Sequence, residues 1–473
     1  MTARRLYPSL LAVLALTGCS MAPRYTAPAP PVPGSFPGQP AATSGPAAAE
    51  LDWKAFYADP RLQRVLELAL ANNRDLRVAG LNIEKSGDYY QIQRAAMLPT
   101  VTAGGSYYRG SLPATEAGMV PGMGASVGIS AWEMDFFGRL NSLRQEALQT
   151  YLATEQAQRS AQVSLLAQVA SGYLALAGDL ESLKLAQTTV DSQASSYDLT
   201  ERRFLVGSGS EIDARRVQTS LESARVDLAS YTRAVALDRS TLDLLVGATV
   251  PAELLPQSLS EIAPLREDFA VGLPSEVLLR RPDILMAEDQ LKAANADIGA
   301  ARAALFPSIT LTTSAGTYGA SLNEMFRSGS NYWVLYPQIN LPIFDFGTRR
   351  ANLRVSKTQR EILVAQYEKA IQTAFKEVRD ALVQRETLRQ QEVAQAALTQ
   401  ATGATYRLAK ARFDVGLDSS LSVLDAQRTD NAAQQGLIAL RQTELSNLVT
   451  LYKALGGGTR AANPPAEPAK GKP

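Results

Sequence analysis

The segment RFDVGLDSSLSVLDAQR, residues 412–428, resembles the segment RFLVGSGSEIDARRVQT, residues 203–219. Both segments place an Arg-Phe pair and a Val-Gly pair ahead of a short polar stretch. Glycine ends helices because it adopts the left-handed backbone conformation without steric cost, so Gly207 and Gly416 are expected to end two helices. The chain therefore contains the same helix-ending signal twice.

Polar residues after each glycine predict the start of a second helix. Ser210 in the first segment, and Asp418 or Ser419 in the second, can accept hydrogen bonds from the first free amides of a helix. Each quoted segment is therefore predicted to form a helical hairpin, with tips at about 203–215 and 412–425.

Other landmarks repeat at the same spacing. The matches are QRAAMLPT at 93–100 with ARAALFPS at 301–308, FFGR at 136–139 with DFGT at 345–348, and LVG at 245–247 with ALG at 454–456. Their offset is 208 or 209 residues. The sequence thus predicts two structural repeats, 51–255 and 273–458, joined by a linker at 256–272, and the period is too long for a solenoid.

Long stretches without proline predict long helices. Proline is absent from 122–250 and from 343–463, and residues 348–402 also lack glycine. Apolar residues recur there at steps of three and four, with Lys, Glu, Arg and Gln between them. An unbroken helix over about 348–415 would be about 100 Å long at 1.5 Å per residue. This length exceeds what the core of a globular domain requires.

Alternating residues after Pro99 and Pro307 predict β-strands. Each proline is followed by a run with apolar residues at every second position, a loop rich in Gly, Ser or Pro, and a second alternating run. We expect β-hairpins at about 99–137 and 307–346. Aromatic residues near the strand ends are typical of a membrane interface: Tyr107, Tyr108, Trp132, Tyr332 and Trp333. Four strands cannot close a barrel, so several copies must combine their strands.

The composition disfavours several function classes. The chain of 473 residues has 47 basic and 46 acidic residues, no histidine and one cysteine. Common zinc sites and Ser-His-Asp or Cys-His catalysis are therefore excluded, and near-neutral charge gives no support for a nucleic-acid partner. No Gly-rich phosphate loop lies between a predicted strand and helix. We expect no cofactor or metal site, and an enzyme would have to rely on carboxylate, Lys or Tyr side chains alone.

The N-terminus resembles a bacterial lipoprotein signal. Basic residues Arg4 and Arg5 precede a short apolar run that ends in LTGC at 16–19. This pattern predicts a signal peptide at 1–18 and lipidation at Cys19; an ordinary secretory signal is the alternative. Residues 19–50 are rich in proline and predict an extended lipidated tether. The C-terminal stretch 459–473 is predicted to be disordered.

Several motifs together resemble the outer-membrane factors of tripartite efflux pumps, in their lipoprotein branch. They are LTGCSMAPRY, DWKAFYADPRLQRVLELALANNRDL, WEMDFFGRL, LPSEVLLRRPDI, ARAALFPSITL, NLPIFDFG, VLDAQR and LYKALGGG. The resemblance extends from Cys19 to Gly458. It implies a mixed α+β membrane protein of TolC-like fold, with four β-strands per protomer and an internal two-fold repeat.

The resemblance also implies an assembly and a function. Three copies would form a twelve-stranded barrel in the bacterial outer membrane and a twelve-helix barrel in the periplasm. This homotrimer would receive drugs and other toxic small compounds from an inner-membrane pump of the resistance-nodulation-division (RND) type, through a periplasmic adaptor protein. It would conduct them passively to the exterior, is not expected to be an enzyme or to bind a nucleotide, and would carry acyl chains on its N-terminus as a lipid anchor.

The resemblance assigns roles to the two hairpin tips. Gly207, Ser210, Gly416 and Ser419 are expected to contact the adaptor, although the glycines also serve simply as turn formers. In the second hairpin, Asp425 is expected to form a carboxylate ring around the channel axis, with Leu421 one turn away as an apolar ring. A lone aspartate on a polar helix is otherwise a solvated residue, so the gate role comes from the resemblance.

A lattice of polar contacts is also implied around the gate. The matching positions are Arg412, Phe413, Asp179 and Asp238. Phe413 departs from the family pattern, which has tyrosine at this position. A phenyl ring cannot donate the hydrogen bond that a phenol would give to an aspartate, so the resting state of the gate is left open.

Three other functions are weaker matches to the sequence. A periplasm-spanning lipoprotein scaffold or adaptor without a pore would share the helical hairpins, but not the paired strands. A lipid-anchored hydrolase could use paired carboxylates, yet most Asp and Glu residues lie beside Lys or Arg on predicted helix faces. A metal-ion exporter finds little support in a chain with no histidine and eight methionines.

Overall fold

The computed structural model describes residues 20–33, 46–109, 122–269 and 280–459. The predicted signal peptide 1–18, Cys19 and the predicted tail from residue 460 onward lie outside the described residues. The chain divides into two units. Unit 1 comprises Met1–Ala29, Leu81–Glu155 and Met286–Lys369, and unit 2 comprises Pro30–Gly80, Gln156–Leu285 and Ala370–Pro473.

The repeat is visible in the lengths of the helices. The described α-helices are α1 (Trp53–Phe56), α2 (Pro60–Asn72), α3 (Arg74–Ala95), α4 (Arg139–Leu205), α5 (Glu211–Val246), α6 (Pro282–Ala303), α7 (Thr348–Asp414) and α8 (Ser420–Ala454). Helices α4 and α7 have 67 residues each, and α5 and α8 have 36 and 35. The unbroken helix predicted from residue 348 to about 415 is confirmed.

Unit 1 contains an antiparallel sheet with strands in the order β1-β2-β3-β4. The strands are β1 (Val101–Tyr108), β2 (Gly122–Glu133), β3 (Ser308–Gly319) and β4 (Asn331–Asn340). Opposing residues include Val101 with Ile129, Met123 with Gly319, and Ser308 with Asn340. All four strands lie within the predicted hairpin segments, and the two hairpins join through β2 and β3.

A bulge interrupts the pairing of β2 with β3. The register shifts between Ile129 and Trp132, and Ala131 adopts a left-handed φ of 49°. The indole of Trp132 donates a hydrogen bond from Nε1 to the carbonyl of Met97, 3.2 Å away. The bulge therefore redirects the strand where the aromatic side chain reaches the end of α3.

The outer strands of the sheet present open edges. Within the described residues, β1 pairs only with β2 and β4 only with β3. Strand β4 also carries large exposed apolar side chains, and Trp333 is 77% exposed. Unpaired edges beside an apolar face are unfavourable for a single chain in water or in lipid, because their backbone groups need partners.

Part of the predicted tether at 19–50 makes contacts that its sequence does not reveal. Within unit 1, Asn295 of α6 donates a hydrogen bond from Nδ2 to the carbonyl of Pro23, 2.7 Å away. Arg302, also of α6, donates to the carbonyl of Met21 at 3.1 Å. Because backbone carbonyls accept these hydrogen bonds, the side chains of the segment gave no basis for predicting them.

Unit 2 has a core built from α1, α4 and α8. Phe56 and Tyr452 stack with ring centroids 3.9 Å apart, and the hydroxyl of Tyr452 donates to the carbonyl of Leu51 at 2.7 Å. The most apolar part of α4 would be long enough to cross a membrane, but most of it is buried inside the protein. Tyr173 and Leu174, at its centre, are fully buried, which identifies α4 as a core helix.

A buried arginine connects the start of the second repeat to the end of α8. The side chain of Arg281 is 7% exposed and contacts Asp283 and Glu377 at 2.7 Å each. Its Nη1 atom also donates to the carbonyl of Ala454 at 2.9 Å. A buried guanidinium needs this many acceptors because its desolvation is otherwise uncompensated.

Gly247 ends α5 at a place where no side chain fits. It adopts a left-handed φ of 76°, and a β-carbon there would lie 2.5 Å from the carbonyl oxygen of Asn72. Gly207 has nearly the same φ, 75°, but open space around its Cβ position. Comparing substitutions at these two glycines therefore distinguishes the cost of backbone strain from the cost of a steric collision.

We expect Gly247→Ala to lower the free energy of unfolding more than Gly207→Ala does. Backbone strain alone should cost about 1–2 kcal/mol in both variants. Collision with Asn72 should add about 1–3 kcal/mol in Gly247→Ala. Urea unfolding of the detergent-solubilised protein, followed by circular dichroism, measures both. Equal losses in the two variants would contradict the close approach.

Candidate functional site

The first hairpin tip is closed by backbone hydrogen bonds and one serine cap. Gly207 donates its amide to the carbonyl of Phe204, and Ser208 donates its amide to that of Arg203, each at 2.9 Å. The left-handed φ of Gly207 makes this turn possible. Ser210 then accepts a hydrogen bond at Oγ from the amide of Ile212, 3.2 Å away, and begins α5.

The second tip repeats this geometry. Gly416 has a φ of 78° and donates its amide to the carbonyl of Phe413 at 2.9 Å, while Leu417 donates to that of Arg412 at 2.8 Å. Ser419 is the N-cap of α8 and accepts a hydrogen bond from the amide of Ser422. Of the two predicted caps, the structure therefore uses Ser419.

Asp418 pairs with Arg412 across the same turn. Its Oδ2 atom lies 2.7 Å from Nε of Arg412, and its Oδ1 atom accepts a second bond from Nη2 at 3.2 Å. The hydrogen bond from Arg412 lowers the pKa of the Asp418 carboxyl below its usual value. This ion pair therefore joins the end of α7 to the turn that precedes α8.

Polar contacts within unit 2 join the two hairpins. Near the tips, Ser420 of α8 donates from Oγ to Oδ1 of Asp213 of α5, 3.0 Å away. Further along, Gln193 of α4 donates from Nε2 to Oε1 of Gln427 of α8 at 2.9 Å, and both side chains are buried. Helices α4, α5 and α8 are therefore held in register below the tips.

Asp179 and Asp238 form a like-charge pair between α4 and α5. When both are ionised, the buried Oδ2 atom of Asp238 has no donor within reach. Desolvation and the neighbouring Asp179 raise the pKa of Asp238 to about 6, and desolvation also raises the pKa of Asp179. A proton on Asp238 allows it to donate a hydrogen bond to Asp179, so the pair shares one proton in weak acid.

This acid pair is far from Arg412 and Phe413 in one chain. Asp179 precedes the end of α4 by 26 residues, and Asp238 follows the start of α5 by 27. Both lie about 40 Å from the tips along their helices. The chain does not bring together the four residues of the predicted lattice, because Arg412 pairs with Asp418 and the two aspartates pair with each other.

Leu421 and Asp425 line a groove between α4, α5 and α8. The groove has a volume of about 540 Å³, and Asp227 and Arg216 of α5 also line it. Asp425 accepts a hydrogen bond at Oδ1 from Nη2 of Arg428, 2.8 Å away, and the two side chains are 64% and 82% exposed. Sequence reasoning missed Arg428, although its position three residues after Asp425 is a usual helix ion-pair spacing.

The groove between α4, α5 and α8 offers charged and apolar surface. In the described ranges, no group of three or more Cys, Asp or Glu side chains could hold a metal ion. The exposed Asp425, its arginine and the apolar Leu421 are suited to contact solutes or neighbouring chains.

Comparison with known proteins identifies the family. A family model described as outer membrane efflux protein matches residues 65–248 and 273–457, one match for each repeat. The chain belongs to the outer membrane efflux protein family. The two matches begin 208 residues apart and end 209 apart, which confirms the internal repeat.

Curated relatives of this outer membrane efflux protein align over nearly their whole length. The antibiotic efflux pump outer membrane protein ArpC of Pseudomonas putida is 47% identical over 452 residues, which is 94% of this chain and 93% of ArpC. Outer membrane protein OprJ of Pseudomonas aeruginosa is 42% identical over 455 residues, 95% of either chain. The chain is thus similar to complete channel subunits.

Solved structures agree with the fold. The open state of the MtrE outer membrane channel of Neisseria gonorrhoeae superposes with a TM-score of 0.85 and 37% identity, over 93% of this chain and 99% of MtrE. The CmeC outer membrane channel of Campylobacter jejuni gives 0.83 and 26%, over 93% and 95%. This protein therefore has the TolC-like fold of an outer-membrane channel that extends into the periplasm, and it is a component of an efflux pump with no enzymatic role.

The Asp179–Asp238 pair predicts a pH-dependent stability of this efflux protein. The folded-state pKa of Asp238, about 6, lies above that of an unfolded aspartate, so the folded state binds the proton more tightly. Stability should therefore fall as pH rises from about 4 to about 6 and should not recover above that. We expect Asp238→Asn to raise the melting temperature at pH 7 and to flatten this dependence.

The measurement is thermal unfolding of wild type and variant in one detergent between pH 4 and pH 8. Asp198→Asn is the control, because it removes an exposed aspartate paired with Arg202 on the same helix as Asp179. The control should keep the slope of the wild type. An Asp238→Asn variant that melts below the wild type at pH 7 would contradict the shared proton.

Proposed function

We propose that three copies of the chain form one export duct in the outer membrane. The open edges of β1 and β4 support this proposal, because each edge can pair with the opposite edge of another copy. Three copies supply twelve strands, enough for a barrel with a water-filled interior, whereas two would supply eight and leave no room for a channel. The number three follows from the family.

The duct would be the last component of a tripartite pump of the RND type. We propose that it receives its cargo from an inner-membrane RND pump, joined to it by a periplasmic adaptor. Relatives named for antibiotic efflux and for toluene efflux support a cargo of antibiotics and organic solvents. Lipidation of Cys19 would add an acyl anchor in the same membrane.

The hairpin tips would make the adaptor contact. Gly207, Ser210, Gly416 and Ser419 lie in two turns of the same geometry, and all four are exposed in the single chain. Two repeats in three copies would present six such turns. Their exposed backbone and small side chains are suited to close packing against the helices of a partner.

The gate would be formed by Leu421 and Asp425, with Arg428 as an additional member. Three leucines around an axis form an apolar constriction, which resists hydration, and three aspartates one turn away attract cations. Because Arg428 donates to Asp425 in each copy, the ring would carry alternating charges instead of three isolated carboxylates. This pairing reduces mutual repulsion of the three aspartates.

One experiment tests the duct against a periplasmic scaffold without a pore. The protein is purified in detergent, its mass is measured, and it is added to a planar lipid bilayer. We expect three chains per particle and stepwise conductance, because both outer strands find partners in a closed barrel. Particles of three chains with no conductance would support the scaffold, and a stable monomer would overturn the trimeric duct.

Gate variants should change conduction in separate ways. We expect Leu421→Ala to raise single-channel conductance, because it removes the apolar constriction. We expect Asp425→Asn to reduce the preference for cations over anions, because it removes the negative charge. Both properties are measured in planar bilayers under a salt gradient.

Two matched variants control for general disturbance of the hairpins. Leu417→Ala removes another exposed leucine from the second tip, and Asp198→Asn removes another exposed aspartate from an ion pair. Neither control should alter conduction. If Leu417→Ala raises conductance as much as Leu421→Ala, the constriction does not lie at Leu421.

A further inference from the structure

Residues Met21–Tyr25, here called the strap, lie along one face of α6. The carbonyl of Met21 accepts from Arg302 at 3.1 Å, and that of Pro23 accepts from Asn295 at 2.7 Å. The hydroxyl of Tyr25 donates to Glu288 at 3.4 Å. The strap therefore runs antiparallel to α6, with its N-terminal end towards the last turn of the helix.

The α6 residues that meet the strap form a single helical stripe, here called the strap face. Its members follow steps of four and three residues: Glu288, Lys292, Asn295, Gly299 and Arg302. Lys292 lies over the ring of Tyr25, 5.9 Å from its centroid. Asn295 is 5% exposed, so its bond to Pro23 gives the buried Nδ2 group an acceptor.

Gly299 gives the closest fit between the strap and α6. A β-carbon at this position would lie 2.8 Å from the amide nitrogen and 2.9 Å from the Cα atom of Ala22. It would also lie 2.7 Å from Oγ of Ser142, a 1% exposed side chain of α4. The serine can rotate away, but the strap backbone cannot remain seated. Any side chain at residue 299 therefore excludes the strap.

The strap face is specific to the second repeat. Helix α3 is the equivalent of α6 in the first repeat, at an offset of 208 residues, and it has no buried residue. Its residues at the positions of Asn295 and Gly299 are Gly87 and Gln91. The two residues that seat the strap are thus absent from the other copy of the same helix.

We propose that the strap is a docked element that holds Met21 beside the last turn of α6. That turn ends at Ala303, and β3 begins at Ser308. Cys19 is three residues before Ala22, a reach of at most about 11 Å. A free chain from residue 46 back to Cys19 would instead spread over about 30 Å.

The docked strap would also determine where the acyl chains enter the membrane, an inference that rests on the proposed function. If the sheet lies in the outer membrane, acyl chains on Cys19 enter the membrane next to the start of β3. Their depth is then set by the strap face and not by the length of a flexible tether. The partner that this placement fits is the periplasmic leaflet of a lipid bilayer.

The experiment measures a distance between spin labels on the strap and on α6. Arg24→Cys and Gln290→Cys place labels on two exposed residues in a Cys19→Ala background, secreted with a cleavable signal that is not of the lipoprotein type. Labelled chains are diluted with unlabelled ones, so that only distances within one chain contribute. We expect one short, narrow distance distribution without any acyl chain, because the strap face alone seats the strap.

Three variants connect that distance to the fit at Gly299. Gly299→Ala should broaden and lengthen the distribution, and the Ser142→Ala/Gly299→Ala double variant should do the same. Asn295→Ala, which removes the bond to Pro23, should broaden it to a smaller extent. Gly87→Ala is the matched control, since a β-carbon there meets only the ring of Tyr151 at an ordinary 3.5 Å.

Each result decides for or against the strap. A broad distribution in the unsubstituted strap face, or a narrow one in Gly299→Ala, would overturn the proposal. If Gly299→Ala broadens the distribution but the Ser142→Ala/Gly299→Ala double variant does not, the broadening comes from the collision with Ser142, and the proposal would also be overturned. Single-channel conductance of the same preparations tests the duct separately, so a failed strap and a failed duct give different results.

Discussion

The rest of this structure depends on the unpaired hydrogen-bonding groups at the two edges of its sheet. In the described part of the chain, β1 and β4 each have one neighbour, so each leaves a row of amides and carbonyls without partners. Water can satisfy such groups, but the interior of a bilayer cannot. An outer-membrane channel built on four strands per chain must therefore obtain the missing partners from other copies, and assembly becomes a condition for membrane insertion.

The two repeats share a backbone plan but not the same surfaces. Helices α4 and α7 are equal in length, and their hairpin tips use the same glycine turn and serine cap. Yet α3 has no buried residue, whereas α6 buries Asn295 and packs against the strap. Helices at equivalent positions of the two repeats thus have matching lengths, while single residues such as Gly299 and its counterpart Gln91 give them different neighbours.

Sequence reasoning predicted the backbone features of the hairpins, but it missed several side-chain partners, such as Arg428 for Asp425. Glycines, serine caps and the absence of proline act locally, so they fixed the turns and the long helices in advance. Within the single chain Arg412 pairs with Asp418, six residues away, a contact that the sequence analysis did not name, and its place in the gate lattice stays a prediction. Asp179 and Asp238 were placed in one lattice by the family resemblance alone, because they lie on different helices. The strap could not be predicted, because its hydrogen bonds use backbone carbonyls as acceptors.

The two ion pairs near the second tip each lie within that hairpin, so neither has to break if the hairpin moves as a unit. Arg412 pairs with Asp418 across its own turn, and Arg428 pairs with Asp425 along α8, so each ion pair travels with its hairpin. Exposed pairs of this kind contribute little to stability in any case. The bond from Ser420 to Asp213 is different, because it joins α8 to α5 and must break if the hairpins separate. The buried bond from Gln193 to Gln427 also joins the two hairpins, so separation of the hairpins would have to break both contacts.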